Sequence, residues 1–181
     1  MPPTAMLPAT WATPRLTLRP FVLADVEDVF GYAVDETWGQ YLPVPKPYER
    51  RDAQMFVAMQ VLADHATAPR WALQHGGHVV GSVELGLDHE AGVASLHYAL
   101  ARAQWGQGLM TEAVRSVVAR VWSDLPHVMR IASWADIRNI ASWRVMEKCG
   151  LQREGIARSC RVIRGERIDD VRYALLRSDV V

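Results

Sequence analysis

The chain has 181 residues, half of them hydrophobic, with 20 basic and 20 acidic side chains that cancel to a net charge of zero. This length and apolar content suffice for one full core. The balanced charge offers no global field to nucleic acid or an anionic membrane, and no apolar run approaches the ~18 residues of a spanning helix. The two cysteines, Cys149 and Cys160, stand in no metal-ligand spacing. They read as reduced thiols in a cytoplasmic protein without a metal.

The first residues, Met1 to Pro8, carry no basic segment and are broken by prolines. They read as a loose arm over 1–12 rather than a signal peptide, ahead of a single domain over 13–181. Helical spacing follows over 24–32 and 49–65. Between these helices, the prolines of Trp38 to Tyr48 exclude regular structure but leave Trp38, Tyr41 and Tyr48 as aromatics in a loop. Strands are predicted over 70–75, 79–87 and 92–100, the first two joined by Gly76-Gly77. No repeat or low-complexity tract divides the chain.

The most specific stretch is Trp105-Gly106-Gln107-Gly108-Leu109-Met110-Thr111-Glu112-Ala113. Two glycines open into an amphipathic run in which Met110, Ala113, Val114, Val117, Val118, Val121 and Trp122 share one face, so a helix should start near Gly108. The first amides of such a helix lack intrahelical partners, and its dipole puts about half a positive charge there, which suits a phosphate or pyrophosphate. The spacing fits neither the Gly-x-x-x-x-Gly-Lys-Ser/Thr loop nor the dinucleotide fingerprint. A further strand over Met129 to Trp134 precedes Asp136 to Ser142, which leads into a helix ending at Cys149-Gly150. Asn139 suits that helix as an N-cap, with the amide of Ser142 three positions on.

In this order the segments resemble the GNAT superfamily of acyl-CoA-dependent N-acetyltransferases, in its RimJ/RimL-type branch. Thr13 to Pro20 looks like the opening strand, Tyr98 to Ala113 like the CoA pyrophosphate loop and helix, and Asp136 to Gly150 like the Asn-x-x-Ser-x-Arg-x-x-Glu-Lys-x-Gly signature. Arg153-Glu154-Gly155 and Asp169-Asp170-Val171 fit the closing hairpin. The resemblance implies a mixed α/β fold, a bent and largely antiparallel sheet whose central strands splay apart to receive pantetheine.

It also implies acetyl-CoA as co-substrate, bound by Tyr98, Ala99, Leu100, Gln104, Trp105, Gly106, Gln107, Gly108, Leu109, Met110, Thr111, Asn139 and Ser142. The family's motif Gln/Arg-x-x-Gly-x-Gly/Ala has Ala103 at its first position here, so one polar contact is absent. Ser142 is expected near the sulfur as proton donor to the leaving thiolate. Many relatives place a glutamate as general base in the strand before the glycine turn, where this chain reads Ala94-Ser95-Leu96. His97, two residues on and on the same strand face as Ser95, is one candidate base, and Glu84 is the other. Neither the strand nor Ser159-Cys160-Arg161 in the closing hairpin supplies the family's carboxylate.

The acceptor is expected to be a primary amine, foremost a protein or peptide N-terminal α-amine, whose pKa near ~8 demands little of a base. Trp38 and Tyr41 are expected to border its cleft. A small amine such as an antibiotic or polyamine, or a non-catalytic acyl-CoA-binding module, are the competing readings. Monomer and homodimer both stay open.

Overall fold

A computed structural model describes residues 6–179. Its strands are β1 (Trp11–Ala12), β2 (Thr17–Arg19), β3 (Arg70–His75), β4 (His78–Asp88), β5 (Val93–Leu100), β6 (Arg130–Asp136), β7 (Gln152–Ile163) and β8 (Glu166–Leu176). They form one sheet in the order β1-β2-β3-β4-β5-β6-β8-β7, antiparallel throughout except between β5 and β6. The helices are α1 (Val26–Ala33), α2 (Arg50–Val61), α3 (Leu109–Asp124) and α4 (Ile140–Lys148). None is long and apolar enough to cross a membrane among the described residues.

Alternation along the strands divides the core between the two faces of the sheet. Trp71 and Leu73 point to one face, where they join Leu18, Val83, Leu85 and Leu96 beneath the buried side of α3. Ala72, between them, points to the other face and packs with Phe21, Val29, Ala53, Val57 and Val79 under α1 and α2. Each buried Leu or Val is worth about 1.5–3 kcal/mol, so the larger cluster sets the rigidity of the strands at its centre. α3 buries Met110, Ala113, Val114, Val117, Val118 and Val121, the face expected from periodicity, and leaves Trp122 half-buried beneath Arg177. α4 stops where Gly150 takes a φ of 90° and Leu151 N–H donates to Met146 O at 3.0 Å, a left-handed cap that a side chain would strain.

Several expectations change at their ends. The helix expected over 24–32 begins as a 3-10 turn at Leu23–Asp25, where buried Asp25 accepts from Val22 N–H and pairs with Arg19. The one expected over 49–65 stops at Val61, because Asp64 draws the Ala66 amide and the Thr67 hydroxyl into a turn that competes with helix. The opening strand is confined to Thr17–Arg19, since Thr13 N–H bonds Leu16 O and closes a turn.

The loose arm expected over 1–12 is corrected from Leu7 onward. Leu7 is buried, and Trp11 packs edge-on to Trp71 at 5.1 Å and donates from Nε1 to Ser116 Oγ. A large apolar contact reached across the fold outweighs the local effect of the prolines. The first five residues lie outside those described.

Candidate active site

The site originates where β5 and β6 part. Their parallel pairing covers only Val93–Ser95 against Arg130–Ala132, and the buried Ser133 hydroxyl then donates to Leu96 O at 2.8 Å. Backbone groups alternate sides along a strand. Ala99 O lies so close to Gly81 that a Cβ there would meet it at 2.3 Å, so the Ala99 backbone faces β4. Leu96, Tyr98 and Leu100 therefore present their backbone groups toward the gap. The Leu100 carbonyl is taken by Trp105 Nε1 at 2.8 Å. Among Tyr98, Ala99 and Leu100, what the gap offers is chiefly the Tyr98 backbone.

A cavity of about 540 Å³ runs from this gap to the start of α3. Gly106 and Gly108 take φ values of 75° and 77°, and no atom stands within 4 Å of where a Gly106 Cβ would lie. The turn therefore holds open a bare surface. The first intrahelical bond runs from Glu112 N–H to Gly108 O, leaving the amides of Leu109, Met110 and Thr111 for an anion, in the field of the helix N-terminus. The turn is fixed from outside. Glu112 accepts from the Thr13 hydroxyl at 2.6 Å and from Arg15 N–H at 2.9 Å, while Arg15 also donates to Gln107 O at 2.8 Å. This clamp holds Glu112 below the usual carboxylate range: desolvation opposes ionisation, but the Thr13 and Arg15 bonds outweigh it.

α4 closes the opposite wall. Asn139 caps it by accepting from Ser142 N–H at 3.2 Å through Oδ1, while its side-chain amide makes no hydrogen bond among the described residues. Tyr98 OH donates to Ser142 O at 2.7 Å, and the Ser142 hydroxyl donates to Tyr98 OH at 3.3 Å. Burial pushes the Tyr98 phenol far up, so it remains protonated.

His97 and Glu84 lie on the other face of the sheet, opposite each other on β5 and β4, and neither lines the cavity. The His97 ring meets Trp134 edge-on at 4.5 Å. Burial, followed by the charges of Arg161 and Arg70, lowers its pKa, so it is a neutral imidazole at pH 7. Burial raises Glu84, offset by Arg70 at 3.7 Å and the Ser82 hydroxyl at 3.4 Å.

The profile of the acetyltransferase (GNAT) domain matches residues 15–152. The chain belongs to this family. Its members use acetyl-CoA as acyl donor, and the open backbone of Tyr98 together with the bare glycine turn fits a thioester arm that ends in a pyrophosphate.

The chain is 26% identical to the uncharacterized N-acetyltransferase p20 of Bacillus licheniformis, with 94% of this chain and 97% of that protein aligned. Among solved structures, a GNAT-family acetyltransferase from Bacillus anthracis superposes with a TM-score of 0.82 at 24% identity, over 92% of this chain and 98% of that one. RimL, a ribosomal L7/L12 alpha-N-protein acetyltransferase solved with coenzyme A, superposes at 0.79 with 16% identity, over 94% and 97%. These structural likenesses establish the GNAT fold.

Of the residues singled out from sequence, the cavity is lined by Tyr98, Ala99, Leu100, Gln104, Trp105, Gly106, Gly108, Leu109, Met110, Thr111, Asn139 and Ser142, and also by Trp38 and Tyr41. Gln107 does not line the cavity, and its side-chain amide turns back to donate to Ala103 O at 3.2 Å. Sequence reasoning missed Arg144 and Lys148, cations on the cavity wall four apart in α4, although their spacing from Ser142 was a readable signal. It also missed Arg138, which faces the Tyr41 ring at 5.9 Å, and Arg164, which donates to Gln40 O, Leu42 O and Val44 O at 2.7, 2.8 and 3.2 Å. Arg164 sits at the β7–β8 turn and ties it to the aromatic loop. No local pattern could have signalled a contact over some 120 residues.

Proposed function

We propose that this GNAT enzyme transfers an acetyl group in the cytoplasm from acetyl-CoA to a protein or peptide N-terminal α-amine, by direct attack in a ternary complex. The observation that carries the reading is the end of β5–β6 pairing at Ser95 and Ala132, which leaves the Tyr98 backbone facing a gap that continues to the free amides of α3. Acetyl-CoA supplies the activated acyl carbon. The amides of Leu109 to Thr111 hold its phosphates, and Arg144 and Lys148 add positive charge along the same wall.

Tyr98 N–H is aimed where the thioester oxygen gains charge, a role worth about 3–4 kcal/mol in comparable oxyanion sites. The amine nitrogen bonds to the acyl carbon, the carbon–sulfur bond breaks, and the amine gives up a proton. The Ser142 hydroxyl, which rests on Tyr98 OH, turns to the departing thiolate and gives it a proton, and Ser142 recovers that proton from water. His97, already neutral, is the first candidate to take the amine proton directly or through water, and Glu84 is the second. Trp38 and Tyr41 line the acceptor end of the cavity. RimL, whose substrate is a protein α-amine, shares the fold and supports this acceptor class.

The test is an acetyl-CoA-dependent thiol-release screen over N-terminal peptides, ribosomal proteins, polyamines and aminoglycosides. Release with peptides bearing a free α-amine, lost on blocking that amine, is the expected result. Release only with polyamines or aminoglycosides would replace the acceptor class, and binding of acetyl-CoA without transfer to any amine would leave a binding module.

A further inference from the structure

Across the α1/α2 face of the sheet, strand register sets Arg70, Glu84, His97, Trp134 and Arg172 in a single row. Arg70 pairs with Glu84, Glu84 with His97, and Trp134 with Arg172. Extension of the Ser95–Ala132 register carries the row from His97 to Trp134, whose rings meet at 4.5 Å. The row crosses the strands at the point where β5 and β6 part, directly behind the gap assigned to the thioester.

Its charges are not equivalent. Asp170, fully buried, is held by Arg161 through two bonds of 2.7 and 2.6 Å, so its charge is already matched. Arg172 reaches the same carboxylate only at 3.8 Å, and its guanidinium makes no hydrogen bond among the described residues. Its guanidinium lies over the Trp134 ring at 5.0 Å, with the side chain 38% exposed. A guanidinium stacked on an indole is held in orientation while its edge donors stay free, the geometry that receives a carboxylate through two parallel bonds. Arg161 and Arg70, whose charges help to lower the His97 pKa, are each already paired with a carboxylate, Asp170 and Glu84, which leaves Arg172 as the guanidinium of this face without a close partner.

Resting on the amine-acetylation reading, we propose that Arg172 is an acceptor-binding residue that selects amines carrying a carboxylate, namely peptide N-termini with Asp or Glu at the second or third residue. Arg172 stands two strands away from β5, about 10 Å at the usual strand spacing. The carboxylate of a free amino acid lies too close to its own amine to span that distance, whereas an acidic side chain one or two residues along, at ~3.3 Å per extended residue, reaches it. Polyamines and aminoglycosides, with several cations and no carboxylate, are disfavoured by the same group.

The experiment compares kcat/KM for matched peptides with Glu, Gln or Lys at the second or third position, alongside free amino acids, for the wild type and for R172Q, R172K and R172E. The wild type should prefer Glu over Gln about tenfold, through KM, in line with a charge-assisted bond. R172Q should erase most of that preference, R172K should keep part of it, and R172E should favour Lys. A wild-type ranking of Lys above Glu, equal losses for all peptides in R172Q, or free amino acids outperforming the peptides would overturn the proposal. Equilibrium binding of the N-acetylated Glu and Gln peptides to the CoA-loaded protein separates the two readings. No turnover with any amine would defeat the transferase reading, and equal binding of the two peptides would defeat this one.

Discussion

The two sides of the cleft are built from different materials. The CoA side is made of backbone: free amides at the start of α3, two glycines with positive φ and the unpaired Tyr98 strand edge. The α1/α2 side is made of long side chains matched across strands, with Arg70 beside Glu84, Trp134 between His97 and Arg172, and Asp170 held by Arg161. Backbone donors keep their character through most substitutions, so the first side fixes the common co-substrate. Side-chain pairs change with a single residue, so in the proposed reading the second side is the one that would set what is acetylated and how its proton leaves.

That contrast can be broken most visibly at Gly108. With acetyl-CoA at about 1,000 times its Kd, ligand stabilisation amounts to about 4.1 kcal/mol. Gly108→Val should abolish the thermal shift by blocking close approach at a φ of 77°. A folded variant with the full shift would show that the turn does not hold the co-substrate.

On the other side, His97→Ala should lower kcat/KM by about 10² or more, the lower end for positioned proton transfer. Because burial and neighbouring arginines depress the His97 pKa, the neutral form persists below the ordinary 6.5. Wild-type activity should therefore rise with pH through a limb lying below 6.5, and the variant should lose that limb while recovering rate at alkaline pH. Superimposable profiles would remove His97, and Glu84→Gln would then be measured in the same way.

A step smaller, Ser142→Ala should reduce kcat by about 10² and leave acetyl-CoA affinity nearly unchanged. Tyr98→Phe should lose less, because Ser142 keeps its hydroxyl. Unaltered turnover in Ser142→Ala would return it to a plain helix residue. Least of all, Asn139→Ala should cost about 1 kcal/mol of stability for the lost cap, read as a lowered Tm. An additional fall in acetyl-CoA affinity would show that its free amide also reaches ligand.

The same contrast explains what could be read from the sequence. Gly106 and Gly108 before a periodic run, Asn139 as a cap and Gly150 as a stop are local features, each fixed by the φ or hydrogen bond its own position requires, and they stand where spacing put them. The α1/α2 side depends on register between strands distant in the chain. Nothing near Arg172 reveals that it faces Trp134, and nothing near Met1 to Pro8 reveals that Leu7 will enter the core. The face of His97 followed from alternation with Ser95, yet its distance from the cavity followed only from the fold. The Leu100 carbonyl escaped for a similar reason, since its bond to Trp105 depends on how the 3-10 turn at Arg102–Gln104 folds back.

The single guanidinium of Arg164 joins two segments that would otherwise vary independently, the aromatic loop and the tip of the closing hairpin. A graft of either segment onto another scaffold would carry half of a joint. An insertion at the hairpin tip would disturb a loop some 120 residues earlier in the chain. The two segments are mechanically a pair, and an engineer who wishes to reshape this mouth of the cavity should cut the tether before redesigning either strip.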